Sequence, residues 1–367
     1  MKFYLDVEAI WEKIASFSYV LENRTIKEKI LELYLNNSNT LNLITGDGKT
    51  FVLQAFHPIS TVSQASQDVF YVDYSSFYDI LKKMRGELIE LSFSSDGKIT
   101  IQSSKNFLFE IPYMKFATSP FLLKNEDLRE AQKIEVPVDS LDNLVFASFV
   151  FPRGANVLMH DGKAIIFDEV KTLITTAPYI PFSFVSSIVF WHFVLAVSKQ
   201  QDSVMLTFFT DKFGVVRRVK IDFPSGNNEI QFVTDIDALP NYKFYTFLSE
   251  ASKTDIIQMP KEDVENVISI FSDLLKQDKR AQLFLAFDGD GTFKIEATGS
   301  NRFYKCSVNT AYSGKKVSFL LSLRGLLSSI KAIRTEEIKF LYSKDYFIVS
   351  DQDGRQFFYI ASAIRSE

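Results

Sequence analysis

The feature that most constrains the fold is a pattern that occurs twice, 249 residues apart. Apolar residues at helical spacing are followed by apolar residues in the alternation typical of strands. The matched pairs are Phe77 and Leu326, Leu81 and Ile330, Met84 and Ile333, Ile89 and Ile338, Ile99 and Ile348, Phe109 and Phe358, and Ile111 and Ile360. Because a helix phase and a strand phase are both preserved at one offset, the sequence predicts an internal repeat.

An offset of this size leaves room for a third unit between the two copies. The length of 367 residues agrees with two or three domains of about 100–200 residues each. Each unit reads as strand, helix, strands, helix, strands. We therefore predict an α+β fold of three repeated domains at residues 1–125, 133–249 and 255–367, each with antiparallel sheets and two helices.

The helix boundaries follow from capping residues. Asp6 and Asp73 each precede an apolar helical stripe and are predicted N-caps. Pro260 is predicted in the first turn of the helix that opens the third unit. The middle unit repeats the pattern less clearly. There we predict a helix through Val138 and Val145, and a second, wholly apolar helix over about Phe184 to Lys199.

Composition excludes several classes of protein. With 46% hydrophobic and 23% charged residues, the chain is typical of soluble proteins with real cores. Its one cysteine, Cys306, cannot form an internal disulfide, which favours a reducing compartment. The N-terminus shows no signal-peptide pattern, so we expect none. The longest apolar run, Phe182 to Val197, is shorter than the roughly 20 residues of a membrane span, so we expect no membrane association.

No motif predicts catalysis, a metal or a cofactor. The run from Asp288 to Thr292 superficially resembles a calcium loop, but Phe293 stands where that loop needs glycine, so we predict a hairpin turn. His57, His160 and His192 are scattered, and neither a dinucleotide nor a phosphate-binding loop is present. We expect a protein that is not an enzyme. An unrelated enzyme built from three α+β repeats remains the alternative, and convergent carboxylates or a bound metal in a pocket would favour it.

Basic residues at the helices are the more informative signal. The net charge is −4, so a basic surface would have to be local. The candidate residues for contact with phosphates are Arg24, Lys82, Lys83, Arg85, Arg153, Lys279, Arg280, Arg324, Lys331 and Arg334. Repeated basic helices could form one positive surface for a nucleic acid. The alternative is that these side chains solvate exposed helix faces.

Together, the repeats and several short motifs resemble the bacterial DNA polymerase sliding clamp, the β subunit of the replicative polymerase. The motifs follow the family's order along nearly the whole chain. They are Met1-Lys2-Phe3, Asn23-Arg24-Thr25, Leu41 to Gly46, Phe107 to Pro112, Pro240-Asn241-Tyr242-Lys243 and Ser362-Ala363-Ile364-Arg365. Each motif is unspecific alone, and the resemblance rests on their order, the length and the triple repeat.

The resemblance implies the DNA-clamp fold, with sheets outside and two helices per domain inside a ring. Two chains would form a head-to-tail homodimer that encircles duplex DNA without reading its sequence. The ring would tether the DNA polymerase after loading by a clamp loader, raise processivity and catalyse nothing. A location in the bacterial cytoplasm or nucleoid follows from the resemblance, including for a phage-encoded or divergent member.

The resemblance also implies an apolar pocket for partner peptides between the second and third domains. Carried over by position, its residues here are Lys171, Thr172, Leu173, Pro240, Tyr242, Phe244, Tyr245, Ser362, Ala363 and Ile364. Such pockets anchor apolar side chains of a short peptide. The alternative is ordinary packing under a linker.

The sequence departs from the family in its middle unit. Tyr179 to Ser183 stands where the family has basic residues, and the unit's first helix carries Asp139 and Asp142. Phe244 replaces a family arginine, and the Met-Pro-Met rim is absent. We therefore expect little DNA contact from the middle unit. A clamp-like interaction scaffold that does not encircle DNA is the second alternative.

Overall fold

The structure is a computed structural model of the chain. It describes residues 2–21, 29–35, 40–46, 50–61, 69–116, 128–142, 144, 146, 149–152, 154–198, 201–223, 228–233, 248–276, 278, 281–300, 302–343 and 345–366. Everything below concerns these residues.

Antiparallel strands make up most of the described chain. The first third contains β1 (Lys2–Asp6), β2 (Ile30–Leu35), β3 (Leu41–Gly46), β4 (Thr50–Phe56), β5 (Ser60–Thr61), β6 (Val69–Asp73), β7 (Leu88–Phe93), β8 (Lys98–Ser103), β9 (Leu108–Pro112) and β10 (Met114–Phe116). The middle contains β11 (Arg129–Pro137), β12 (Asn156–His160), β13 (Lys163–Phe167), β14 (Lys171–Thr176), β15 (Phe184–Ser187), β16 (Ser203–Thr210), β17 (Val216–Asp222) and β18 (Asn228–Val233). The last third contains β19 (Thr254–Pro260), β20 (Gln282–Phe287), β21 (Thr292–Thr298), β22 (Phe303–Asn309), β23 (Val317–Ser322), β24 (Glu337–Ser343), β25 (Tyr346–Asp351), β26 (Gln356–Ala361) and β27 (Ala363–Ser366).

The helices lie between the strands at repeating positions. They are α1 (Val7–Ser16), α2 (Ser18–Leu21), α3 (Tyr74–Lys83), α4 (Ile188–Ser198), α5 (Lys261–Leu274) and α6 (Leu323–Lys331). The side chain of Asp6 accepts a hydrogen bond from the Glu8 amide, and that of Asp73 accepts one from the Ser76 amide. Both predicted N-caps are therefore confirmed. Pro260 itself occupies the N-cap position of α5, one residue before the predicted first turn.

Strand order shows the same unit three times. Four strands pair as β6-β2-β3-β4, β15-β12-β13-β14 and β23-β20-β21-β22. Four others pair as β1-β7-β8-β9, β11-β16-β17-β18 and β19-β24-β25-β26. Each set falls in the predicted sequence of strand, helix, strands, helix, strands. The predicted α+β repeat with antiparallel sheets is confirmed.

Two of the sheets join strands of neighbouring units. In the nine-stranded sheet, β4 pairs with β18, with Val52 opposite Ile230. In the eight-stranded sheet, β14 pairs with β26, with Leu173 opposite Phe358. The fourth strand of one unit thus meets the last strand of the next in both sheets, and we call these two pairings the joints.

Contacts between Cα atoms divide the chain into two compact units. One comprises Met1–Asp139 and Val189–Thr234, and the other comprises Ser140–Ile188 and Asp235–Glu367. The joints account for this division, because each continues a sheet across a predicted domain boundary. The boundaries of the three predicted domains stay a prediction.

The middle part differs from the sequence prediction at both helices. The predicted helix from Phe184 begins only at Ile188, because Phe184–Ser187 is the strand β15, paired with β12. The helix predicted through Val138 and Val145 begins as a 3₁₀ turn, Val138–Leu141, and the described residues that follow, Asp142, Leu144 and Phe146, are α-helical. An apolar run that is buried on every side has neither helical nor strand periodicity, so its sequence alone does not separate the two.

Large apolar side chains fill the cores of both units. Trp191, Tyr359, Phe77, Phe208 and Phe287 are among the largest that are fully buried. In the part of the chain that the structure describes, no helix is long and apolar enough to cross a membrane.

Candidate functional site

Two basic side chains lie exposed at the end of α3. Lys82 and Lys83 occupy its last turn, where cations also interact favourably with the helix dipole. Neither forms an ion pair with any described residue. These two ammonium groups are therefore available to an anionic ligand.

Arg85 follows the same helix but is already engaged. Its Nε donates to Glu8 Oε2 at 3.2 Å and its Nη2 donates to Glu8 Oε1. Its guanidinium carbon lies 5.6 Å from the centroid of the Trp11 ring. The hydrogen bond from Arg85 lowers the pKa of Glu8. Arg85 thus ties the end of α3 to α1, although the sequence predicted it as a phosphate contact.

Arg324 and Lys331 lie exposed on α6, whose N-cap is Ser322. Arg324 Nη2 donates to the backbone oxygen of Lys276 at 3.2 Å, just beyond α5. Such a bond satisfies one carbonyl at a helix end and leaves four other guanidinium N–H donors for a ligand. Lys331 forms no ion pair among the described residues. Both side chains can therefore contact an anion.

Arg334, unlike Arg324 and Lys331, forms an ion pair and also lies over an aromatic ring. Its Nη1 donates to Asp142 Oδ2 at 2.5 Å, and its guanidinium carbon lies 3.9 Å from the centroid of the Phe146 ring. Of the other predicted phosphate contacts, Arg24, Arg153, Lys279 and Arg280 lie outside the described residues. All six of the predicted phosphate contacts that the structure describes are exposed, but Arg85 and Arg334 each form an ion pair, whereas Lys82, Lys83, Arg324 and Lys331 form none among the described residues.

The helix α4 occupies in the middle part the position of α3 and α6. It carries no lysine or arginine within Ile188–Ser198, and Val189, Phe190, Trp191 and Val194 are buried. Consecutive buried residues cover all sides of a helix, since successive side chains are about 100° apart. Apart from the half-buried His192, its described side chains therefore form part of a core, and the helix offers no lysine or arginine to a ligand.

The predicted pocket residues on β14 point to two different faces. Lys171 and Leu173 face α6, whereas Thr172 faces the opposite side, because successive residues of a strand alternate. Lys171 is buried, and its Nζ donates to the Val150 oxygen at 2.9 Å and to Ser328 Oγ. The same nitrogen lies 4.9 Å from the centroid of the Phe151 ring. Burial lowers the pKa of Lys171 to about 8.

Thr172 lies on the face that holds an apolar cluster. The cluster consists of Leu158, Ile165, Ile174, Val185, Leu248, Leu341, Ile348 and Tyr359, with Phe167, Tyr346 and Phe357 half-buried against it. The Tyr359 hydroxyl donates to the Leu248 oxygen at 2.8 Å, and burial raises the pKa of Tyr359. Lys253 Nζ lies 4.5 Å from the centroid of the Phe357 ring. The eight members of the cluster are buried and form a packed core, and the half-buried Phe167, Tyr346 and Phe357 lie at its margin, where an apolar peptide would make contact.

The remaining predicted pocket residues are only partly described. Ser362 donates its amide to the Asp345 oxygen at 2.9 Å, and Ala363 is exposed. Ile364 lies in β27, opposite Phe319 of β23. Pro240, Tyr242, Phe244 and Tyr245 lie outside the described residues.

Sequence reasoning missed two exposed apolar sheet edges. In the first unit, Phe107 and Leu108 at β9 are 55% and 59% exposed. In the third repeat, Phe303 at the start of β22 is 59% exposed, and Ile270 and Leu274 of α5 are also exposed. Both strands are last in their sheets. The signal in the sequence was the repeat, since β9 corresponds to β18 and β26, which are paired, and β22 corresponds to β4 and β14.

Neither a protein-family model nor a curated protein matches the sequence. Solved structures match it over almost its whole length. The DNA polymerase III subunit beta of Pseudomonas aeruginosa superposes with a TM-score of 0.79 at 14% identity, covering 99% of this chain and 100% of that one. The DNA polymerase sliding clamp of Caulobacter crescentus gives 0.80 at 15% identity and covers 99% of each chain. The DNA polymerase III beta subunit of Thermotoga maritima gives 0.77 at 14% identity, again with 99% of each chain. The chain therefore has the fold of the DNA polymerase III β sliding clamp.

Proposed function

We propose that the chain is a DNA sliding clamp, a ring that encircles duplex DNA and catalyses no reaction. It acts as a processivity factor that tethers the DNA polymerase and other partners in the bacterial cytoplasm or nucleoid, encoded by a bacterium or a phage. The observation that carries the proposal is the equivalence of the two free edges, β9 and β22, with the strands that form the joints.

The joints indicate how copies would pair. A fourth strand meets the last strand of the following unit twice within the chain. The unmatched fourth strand is β22 and the unmatched last strand is β9, so the same pairing would join β22 of one copy to β9 of the next. An interface between two different surfaces is head-to-tail, and it closes into a ring when the rotation per copy allows. Two copies of three units give the homodimer.

Both joints give the same register for this pairing. The fourth strands begin their hairpin pairing at Phe51, Thr172 and Phe303, opposite Gly46, Phe167 and Thr298. The next residues of these three strands are Val52, Leu173 and Tyr304, which are therefore equivalent positions. In the joints, Val52 faces Ile230 and Leu173 faces Phe358, and Phe358 corresponds to Phe109 through the 249-residue offset. Tyr304 of one copy would therefore face Phe109 of the next, with Lys305 opposite Leu108.

The exposed side chains support this pairing. Phe107, Leu108 and Phe303 would be covered, which removes apolar surface from water. Glu110 and Lys305 would be diagonal neighbours of opposite charge across the seam. An exposed apolar edge strand invites association unless a partner covers it.

DNA contact is assigned to α3 and α6 through Lys82, Lys83, Arg324 and Lys331. Contacts to phosphates carry no sequence information, which suits a ring that slides. A clamp loader opens and closes the ring around DNA, and partner peptides dock on the face that carries Thr172, at the half-buried margin of the apolar cluster.

One experiment tests the proposal. Retention of the protein on circular duplex DNA is compared before and after the circle is cut, together with its mass in solution. A dimer retained on the circle and lost from the linear form is expected, because topology rather than affinity holds a ring. A monomer retained equally on both forms would refute it.

A clamp-like scaffold that does not encircle DNA is the second candidate. The apolar, buried helix α4 favours it, because the corresponding helices α3 and α6 both present cations. A dimer that binds polymerase peptides but shows no difference between circular and linear DNA would support the scaffold.

A further inference from the structure

Lys171 connects three segments of the second compact unit. The residue lies on β14, and its ammonium reaches the Val150 oxygen in the turn before β12 and Ser328 Oγ in the middle of α6. Ser328 and Lys171 are 157 residues apart in the sequence. A single buried side chain therefore bridges a strand, a turn and a helix.

The ammonium has no carboxylate hydrogen-bonded to it among the described residues. The nearby Asp168 uses Oδ1 to accept the amides of Val170 and Lys171, at 2.7 Å and 2.8 Å. Burying a cation without an ion pair is costly, and an apolar side chain of similar volume would avoid that cost. Packing alone therefore does not explain a cation at this position. Its hydrogen bonds to two neutral acceptors, the Val150 oxygen and Ser328 Oγ, indicate that it connects these two segments.

The first turn of α6 lies very close to the turn between β13 and β14. A Cβ atom added at Gly325 would lie 3.2 Å from Val170 Cγ1, which is tighter than an ordinary contact. The Ser328 hydroxyl also donates to the Gly325 oxygen at 3.0 Å. Gly325 therefore allows the approach, and the bond between Lys171 and Ser328 lies one helical turn further along the same contact.

We propose that Lys171 is a positioning residue that holds α6 against the β13–β14 hairpin, so that the face for partner peptides and the helix for DNA move together. The inference rests on the proposed function for the roles of these two surfaces and names how they are coupled. Thr172 faces the apolar cluster. Its neighbour Lys171 donates a hydrogen bond to Ser328 of α6, the helix that carries Arg324 and Lys331. Displacement of β14 on one face is transmitted to α6 on the other.

The test compares Lys171→Met, Ser328→Ala and the double variant in the full-length chain. Amide hydrogen exchange is measured in α6 and, as an internal reference, in α3. Lys13→Met is the matched control, because Lys13 is a half-buried lysine in the compact unit that begins at Met1 and, like Lys171, donates to a backbone oxygen, that of Ala55 at 2.7 Å. Lys171→Arg tests rescue, since it keeps a cationic donor.

Exchange in α6 should rise up to about tenfold in Lys171→Met, which is the size of one net hydrogen bond. The double variant should be no faster than the faster single variant, because both break the same bond, and Lys171→Arg should restore slow exchange. Retention on circular duplex DNA should become more sensitive to salt in Lys171→Met, although its unfolding midpoint at neutral pH should not be lower than that of the wild type, because the cost of the buried cation is removed. Unchanged α6 exchange in Lys171→Met, or an equal rise in Lys13→Met, would overturn the proposal.

The outcomes separate this inference from the proposed function. If Arg324→Ala with Lys331→Ala leaves DNA retention unchanged, the DNA role of α6 fails, and the exchange measurement still decides whether Lys171 holds the helix. If α6 exchange stays slow in Lys171→Met while the double α6 variant loses DNA, the clamp function stands and the positioning role is overturned.

Discussion

Arg334 Nη1 lies 2.5 Å from Asp142 Oδ2, between residues 192 positions apart in the sequence. Its counterpart through the repeat is Arg85, which pairs with Glu8 and lies over Trp11. In both repeats, the arginine that follows the second helix thus pairs with an acidic side chain and lies over an aromatic ring. In the first unit the acid belongs to α1 of that unit, and in the third unit it belongs to the middle part of the chain.

Replacing Arg334 should therefore affect stability more than DNA binding. We expect Arg334→Ala to lower the free energy of unfolding by about 1 kcal/mol. A half-exposed ion pair and an exposed cation–π contact each contribute at most about 1 kcal/mol. A double-mutant cycle with Asp142→Asn, followed by urea unfolding, measures the coupling. Lys331→Ala is the control, with no expected loss of stability. A cycle with no coupling energy would contradict this assignment.

The exposed cations should control DNA association. Arg324→Ala with Lys331→Ala, and separately Lys82→Ala with Lys83→Ala, should weaken retention on duplex DNA of any sequence. Each lost phosphate contact lowers the slope of log affinity against log salt by about one. Retention is measured over a range of salt concentrations, with Arg334→Ala for comparison. An unchanged slope in both double variants would remove these residues from the DNA interface.

The register of the proposed seam can be trapped through the single native cysteine. By the register derived from the joints, Cys306 of one copy faces position 107 of the next. Directly opposed residues of antiparallel strands have Cβ atoms about 4.5–5.5 Å apart, close enough for a disulfide to form with slight adjustment. Phe107→Cys should therefore give covalent dimers on mild oxidation, seen on non-reducing gels.

Two controls accompany the crosslink. Leu88→Cys places a thiol at a position that is equally exposed, 55%, but lies on the interior strand β7. Phe107→Cys with Cys306→Ser removes the native partner. Neither should give crosslinked dimers in comparable yield. Equal crosslinking by Leu88→Cys would indicate random collision rather than the seam.

Lys171 should make stability depend on pH above neutrality. Its pKa is about 8 in the folded protein, below the ordinary 10.5, because burial disfavours the charged form and the nearby Asp168 offsets this only in part. The destabilisation is fully present below pH 8. The destabilisation disappears as the pH rises from 8 towards 10.5. In that range the Lys171 side chain is protonated in the unfolded chain and neutral in the folded protein, so raising the pH favours the folded state.

The wild type should thus gain stability relative to Lys171→Met between pH 7.5 and pH 10. The gain is at most about 3 kcal/mol, since one pKa unit corresponds to about 1.4 kcal/mol. Urea unfolding of both proteins at the two pH values measures it, and the other titrating groups cancel in the difference. A constant difference between the two proteins would contradict a buried ammonium.

Local features of the fold could be predicted well. The caps at Asp6 and Asp73 and the hairpin at Asp288–Thr292 depend on neighbouring residues, so their signals are complete within a short window. The α4 region was predicted less well. Phe184–Ser187 and Ile188–Ser198 form one continuous apolar run, and only pairing with β12 makes the first part a strand.

The sequence by itself determined the repeat, because residues 249 positions apart keep both the helical and the strand period, and it determined the antiparallel α+β class. Only the tertiary structure decided which of the exposed basic residues form ion pairs. Arg85 and Arg334 resemble Lys82 and Lys331 in the sequence, but each meets an acid and an aromatic ring from a distant segment. Likewise, no local pattern reveals that Lys171 reaches Ser328 or that β9 and β22 end their sheets. These relationships arise when segments far apart in the chain pack together, and such contacts leave no periodicity in the sequence.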